Sequence, residues 1–212
     1  MDAAEQISEQ SPSWTVRVRR AIDRHLPMDH LLPVRQPYYV GSWVYVFGVI
    51  TIAALVWVVV SGVVLAFMGP QWWHDSSVGR FVNSLHFWSV QLFFIFMVLH
   101  LWGQYFMAGW RHGRAATWAI GVVIFGVSIL TAFTGYLSQQ NFDSQFIAVN
   151  AKDAMNGAGI GAFFNVLNFG QMYGLHSMLL PIGVTVLVVM HIVMVRARGV
   201  VKPIDAEGGT RS

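Results

Sequence analysis

Four stretches of the chain are apolar for long enough to cross a bilayer, which takes about 20 residues. They run over about 44–68, 84–107, 115–137 and 173–195. Gly69-Pro70 ends the first, and a short polar loop with Trp72, Trp73 and His74 leads to the second. The basic connection 109–114, GWRHGR, separates the second from the third. The longest loop, 138–172, is only moderately polar, and its apolar pieces 145–155 and 159–169 read as short helices on the surface. Ahead of the spans, 14–26 interleaves Arg17, Arg19, Arg20 and Arg24 with Trp14, Val16, Ile22 and Leu26. That is the pattern of a basic amphipathic helix lying on a membrane surface. Residues 1–13 read as a disordered polar tip, and Pro27, Pro33 and Pro37 break any helix before the first span.

The expected fold is therefore an all-α membrane protein with four transmembrane helices forming one bundle. It divides into a tail with the amphipathic helix (1–42), the four-span domain (43–199) and a polar tail (200–212).

Composition agrees. Of 212 residues, 55% are hydrophobic and 11% charged, which no soluble core requires. Nine tryptophans suit interfacial anchoring. With no cysteine, the chain can form no disulfide, iron–sulfur ligation or thioether-linked haem. The net charge of +3 gives no reason to expect nucleic-acid binding, and the polar, basic first 40 residues hold no secretory signal. The distribution of charge is more telling. Arg17, Arg19, Arg20, Arg24 and Arg35 precede the first span, Arg111 and Arg114 lie between the second and third, and Arg196, Arg198, Lys202 and Arg211 follow the fourth. Only Arg80 and Lys152 fall on the other side. The positive-inside rule puts both termini on the cytoplasmic or equivalent side, in a bacterial plasma membrane or a thylakoid-type energy membrane.

The candidate chemistry lies in the second and fourth spans. His86 and His100 are fourteen residues apart, which returns to within about 40° of one helix face after roughly 21 Å. His176 and His191 are fifteen apart and close to within about 60°. The topology makes these two helices parallel, so His86 lies level with His176 and His100 with His191. One intramembrane histidine often serves only as an interhelical hydrogen-bonding group. Two depth-matched pairs suit a metal inside a planar macrocycle, which takes one axial ligand from each side. The two pairs would hold two stacked haems. Gly48 and Gly62 in the first span, and Gly121 and Gly135 in the third, repeat the fourteen-residue period. Glycine is merely tolerated in a helix unless something approaches the backbone closely. Small-residue helix packing is the competing explanation, and the shared period favours haem. His25, His30, His74 and His112 read as surface or interfacial residues.

With these residues in view, the chain resembles cytochrome b6 and the N-terminal half of cytochrome b of the quinol–cytochrome c oxidoreductases, over about 39–203. The resemblance is carried by Gly48 and Gly62, by His86-x-Trp88-Ser89, by Val98-Leu99-His100, and by Arg114 with Thr117-Trp118. It continues through Thr131-Ala132-Phe133-Thr134-Gly135-Tyr136, Tyr173-x-Leu175-His176, Pro181, His191 and Arg196. The fifteen-residue second spacing and the stop after four spans look like the b6 form, whose remaining helices belong to a separate subunit.

The resemblance implies two non-covalent b-type haems in a dimeric complex with a Rieske iron–sulfur protein and a c-type cytochrome or equivalent. Quinol would be oxidised on the outer side. One electron would go to the Rieske centre and the other through the His86/His176 haem to the His100/His191 haem, to reduce quinone near the inner face. Arg114 and Arg196 would line the inner haem or quinone region. An alternative is a haem-bearing membrane anchor linking a soluble dehydrogenase to the quinone pool, distinguished by the subunit that co-purifies. A haem-free scaffold or transporter subunit is a third class, disfavoured by the histidine pairs and by the lack of acidic residues in the spans.

The chain also departs from the family pattern. Where the family has arginines that commonly pair with haem propionates, it carries Asn83, Gly103 and Gln171, which leaves Arg80, Arg111, Arg114 or Arg196 to substitute. The family's Pro-Trp segment after Gly-Tyr is replaced by SQQNFDSQ at 138–145. Val46 stands where photosynthetic b6 proteins attach an extra haem through cysteine, so that attachment is excluded.

Overall fold

The structure is a computed structural model describing residues 13–25 and 38–202. Leu26, the three helix-breaking prolines, His30, Arg35 and the two terminal tips lie outside the described residues. The described chain is helical, without strands. Helix α1 (Trp14–His25) precedes a single 3-10 turn (Tyr38–Gly41), then α2 (Trp43–Met68), α3 (Pro70–Asp75), α4 (Ser77–Phe106), α5 (Ala115–Leu137), α6 (Phe142–Gly157) and α7 (Phe169–Arg198). Helices α2, α4, α5 and α7 are long and apolar enough to span a membrane.

Local signals set the element ends. Gly69 (φ 77°) stops α2 in the left-handed region that side chains avoid, and Pro70 then opens α3 at a position needing no N–H. The Ser76 hydroxyl caps α4 by accepting from Gly79 N. Asn141 and Ser144 form a reciprocal capping box on α6, and Asn168 caps α7 through Gln171 N.

Two expectations need correction. The 159–169 piece is not a helix: Gly159 (φ 76°) turns the chain there, and the segment runs in successive turns to Phe169. Residues 70–83 are not a loop either. They form α3 and the first two turns of α4, which begins seven residues before its apolar run because Ser76 caps it there, while Arg80 and Asn83 interrupt the apolar pattern. In α1, Trp14, Val18 and Ile22 share one face and are all exposed, as are Arg17, Arg20 and Arg24. An apolar face that no other described part of the chain covers fits a helix lying at a membrane surface.

The spans pack as two pairs, α2 along α4 and α5 along α7, and the pairs meet at few points. Burial is inverted relative to a soluble protein. Ser61, Ser89, Thr117, Ser128 and Thr134 are buried, whereas Val49, Val56, Val63, Leu92, Ile95, Val186 and Val189 face outward. Lipid is as apolar as these side chains, so small polar residues take the helix interfaces instead. Ser61, Thr51, Thr131, Thr134 and Ser138 each donate their hydroxyl to a carbonyl four residues back on their own helix, which leaves none of these five hydroxyls unpaired against the neighbour.

Candidate haem site

Each of the four intramembrane histidines rests against a glycine of the helix paired with its own. A Cβ placed on Gly62 would stand 3.1 Å from the His86 ring, and one on Gly48 3.1 Å from His100. On the other pair, a Cβ on Gly121 would lie 3.3 Å from His191, and one on Gly135 would overlap the His176 ring. The fourteen-residue glycine period is thus the histidine period seen from the neighbouring helix. The sequence pattern suggested a flat cofactor as the object approaching these backbones. The structure puts an imidazole edge there.

Across the gap between the pairs, His86 and His176 face each other with ring centres 6.1 Å apart and planes at 84°. A metal ion held here would take one imidazole from each helix pair. The tertiary structure therefore brings together the outer pair expected from depth. No cluster of three or more His, Cys, Asp or Glu forms among the described residues.

The outer pair is also oriented for ligation. His176 Nδ1 lies 2.8 Å from the Thr131 carbonyl oxygen, which can only accept, so the proton sits on Nδ1 and Nε2 keeps its lone pair. His86 Nδ1 lies 3.0 Å from Ser61 Oγ, whose own proton goes to the Trp57 carbonyl at 2.6 Å. Ser61 thus accepts from Nδ1, and His86 again presents a free Nε2. This is the outer-sphere support that ligating histidines usually have. Ser61 was not singled out in the sequence, and Thr131 only as the first residue of the 131–136 motif. Their positions, one residue before Gly62 and four before Gly135, were the available signal. The Nδ1 atom of His100 is buried without a hydrogen-bond partner.

Arg114 is half-buried at the inner end, with Nη2 donating to the Val200 carbonyl at 3.4 Å and a buried, unpaired Nε. Arg196 is exposed on α7. It is Arg198, two residues on, that reaches back into the bundle, donating from Nη1 to Thr117 Oγ1 at 2.6 Å. At the outer end Arg80 donates to the His74 carbonyl, and at the inner end Arg111 is exposed. The three departures from the family pattern also have structural roles. Asn83 pairs with Gln139. Gln171 brackets the outer turns, accepting from Asn165 N and donating to the Phe163 carbonyl, both at 2.7 Å. A Cβ at Gly103 would lie 3.0 Å from Val44, so α2 crowds this position.

Fold and site together define a multi-pass membrane protein whose helix pairs offer imidazoles to one another across an internal gap. The family model described as cytochrome b/b6/petB matches residues 32–199, and the chain belongs to that family. It is similar to cytochrome b6 of Chlamydomonas reinhardtii, with 29% identity over 142 residues, 61% of this chain. The match spans 66% of that relative's length. It is 25% identical over 217 residues to the menaquinol:cytochrome c reductase cytochrome b subunit of Bacillus subtilis (strain 168), covering 92% of this chain and 93% of that one. Among solved structures, a chain of a hyperthermophilic respiratory Complex III has the same fold, with a TM-score of 0.69 at 18% identity, over 99% of this chain and 58% of that one. As a cytochrome b, the protein is an integral membrane electron carrier that binds b-type haem.

Proposed function

We propose that this chain is the diheme core of a bc- or b6f-type complex, holding one haem between His86 and His176 and another between His100 and His191. When bound, the two irons supply one-electron relays between quinol at the outer face and quinone near the inner face. The observation that carries this reading is the four-fold histidine–glycine register together with the His86–His176 separation across the gap.

The chain's own residues do the rest. Thr131 and Ser61 hold the outer imidazoles in the tautomer that leaves Nε2 free. The apolar spans keep water and ions from the path between the faces, so electrons cross a layer that an ion could not cross cheaply. Arg114 and Arg198 set a positive inner rim, which favours acidic cofactor groups and a quinone gaining electrons there. The Bacillus subtilis relative, a menaquinol:cytochrome c reductase cytochrome b subunit, supports quinol as the donor and cytochrome c as the acceptor, and the family resemblance adds a Rieske iron–sulfur protein as a partner. The basic residues of α1, the 109–114 connection and the end of α7 support placing both termini on the cytoplasmic side.

The test is haem stoichiometry and a redox titration of the detergent-purified chain. Two low-spin, non-covalent haems with separate midpoints are expected. One haem would overturn the two-pair assignment, and none in a folded sample would overturn the reading altogether.

A further inference from the structure

The inner end of the gap is crossed by the stretch of chain that follows α7. Gly199 turns it in a backbone conformation (φ 73°, ψ 163°) essentially restricted to glycine. The Val200 carbonyl then accepts from Arg114 Nη2, just ahead of α5, and the Val201 carbonyl accepts from the Tyr45 hydroxyl on α2. Two successive carbonyls of one irregular segment are thus tied to helices from different pairs. Val200 and Val201 are half-buried, whereas Gly199 and Lys202 on either side are exposed, so the apolar residues lie against the bundle.

The ties fall close to the inner histidines. Tyr45 stands three residues nearer the inner end than Gly48, the glycine against which His100 rests. Arg114 stands seven residues nearer that end than Gly121, the glycine under His191. At 1.5 Å per residue the segment is anchored roughly 5–10 Å beyond the level of the inner imidazoles. At the outer end a second tyrosine makes a comparable link, Tyr173 on α7 donating to the Ala66 carbonyl on α2 at 3.1 Å. That bond joins two helices, and losing it leaves both in place. The Tyr45 bond holds a segment that belongs to no helix, and losing it frees the segment.

We propose that Tyr45 is a positioning residue for the inner imidazole pair: it ties residues 199–201 as a strap across the inner end of the gap and so keeps water from His100 and His191. The redox consequence rests on the diheme reading of that pair. Water admitted beside an iron held there stabilises the charge of its oxidised form and lowers its midpoint.

The chain has no cysteine, so a single Val201→Cys substitution gives the strap a unique label site and leaves its carbonyl in place. The experiment measures labelling of that thiol by a polar maleimide, with a redox titration and haem count, on the detergent-purified full chain. Tyr45→Phe in this background keeps the ring and removes the tie. Labelling is expected to accelerate roughly threefold to tenfold, the range for one lost hydrogen bond. Gly199→Val, whose Cβ would meet nothing within 4 Å, breaks the turn instead and should accelerate labelling roughly tenfold. In both variants the inner midpoint should fall and the outer one stay in place. Tyr173→Phe is the control and should change neither the labelling rate nor the inner midpoint. A labelling rate within twofold of the Val201→Cys parent in either variant overturns the strap. So does faster labelling with the inner midpoint unmoved, which would leave a tied segment that covers nothing. Equal acceleration by Tyr173→Phe, or a fall in both midpoints together, would reveal general loosening and overturn it as well. Labelling requires no haem, so its outcome stands apart from the diheme reading, which the haem count of the unmodified chain decides.

Discussion

His86 and His176, ninety residues apart in sequence, meet across the bundle at 6.1 Å with perpendicular rings, each held from behind by a hydrogen bond at Nδ1. Neither belongs to the helix pair of the other. Replacing His86 by leucine is expected to halve the haem content and leave the His100/His191 spectrum in place. The check is a pyridine haemochrome count with low-temperature difference spectra. Loss of both haems would show that the pairs do not act independently.

The support behind the outer ligand has its own test. Ser61→Ala removes the acceptor for His86 Nδ1 while keeping a good helix former, and losing such a partner typically costs roughly tenfold to a hundredfold in metal affinity. Haem titration of the apoprotein should show that loss at one site and none at the other.

Glycines on one helix should behave in opposite ways. A Cβ at Gly135 overlaps the His176 ring, whereas one at Gly126 meets nothing within 4 Å. Gly126→Ala should stabilise α5 by up to about 1 kcal/mol through helix propensity. Gly135→Ala should cost about 1–3 kcal/mol through overpacking and displace a ligand. Thermal unfolding followed at the Soret band compares the two directly.

The fifteen-residue spacing of His176 and His191 is reconciled by a π turn at Leu175–Leu179, within which His176 sits. A π turn inserts one extra residue into a helix, so the fifteen residues cover nearly the rise and angle of fourteen. Deleting Met178 should convert the turn to regular helix and preserve both haems. Deleting Leu187 from the α-helical part should rotate His191 by about 100° and lose the inner haem. Equal haem counts in the two deletions would contradict this account.

At the inner rim, Arg198 rather than Arg196 reaches the bundle through Thr117. Arg198→Ala and Arg114→Ala are each expected to lower the inner midpoint, and Arg196→Ala to leave it unchanged. Redox titration of the three variants decides whether the arginines that reach the bundle carry the effect.

Much of this was legible in the chain because membrane helices announce themselves by length and hydropathy. The third span was read at 115–137 and is found as Ala115–Leu137, and the four depth-matched histidines follow from periodicity and topology alone. What was missed lies where polar residues decide. The first turns of α4 hang on the Ser76 cap, and the turns after α6 on Gly159. Hydropathy averages over such single hydrogen bonds and dihedral angles.

By itself, then, the sequence determined the number of spans and the levels at which imidazoles occur, since a bilayer forces backbone pairing within each helix. Only the tertiary structure decided which residues serve those imidazoles. That Ser61 and the Thr131 carbonyl fix their tautomers, that a π turn absorbs the odd residue, and that Asn83 finds Gln139 depend on how two helix pairs face each other. Such contacts form between residues far apart in the chain, and local periodicity carries no information about which of them will meet.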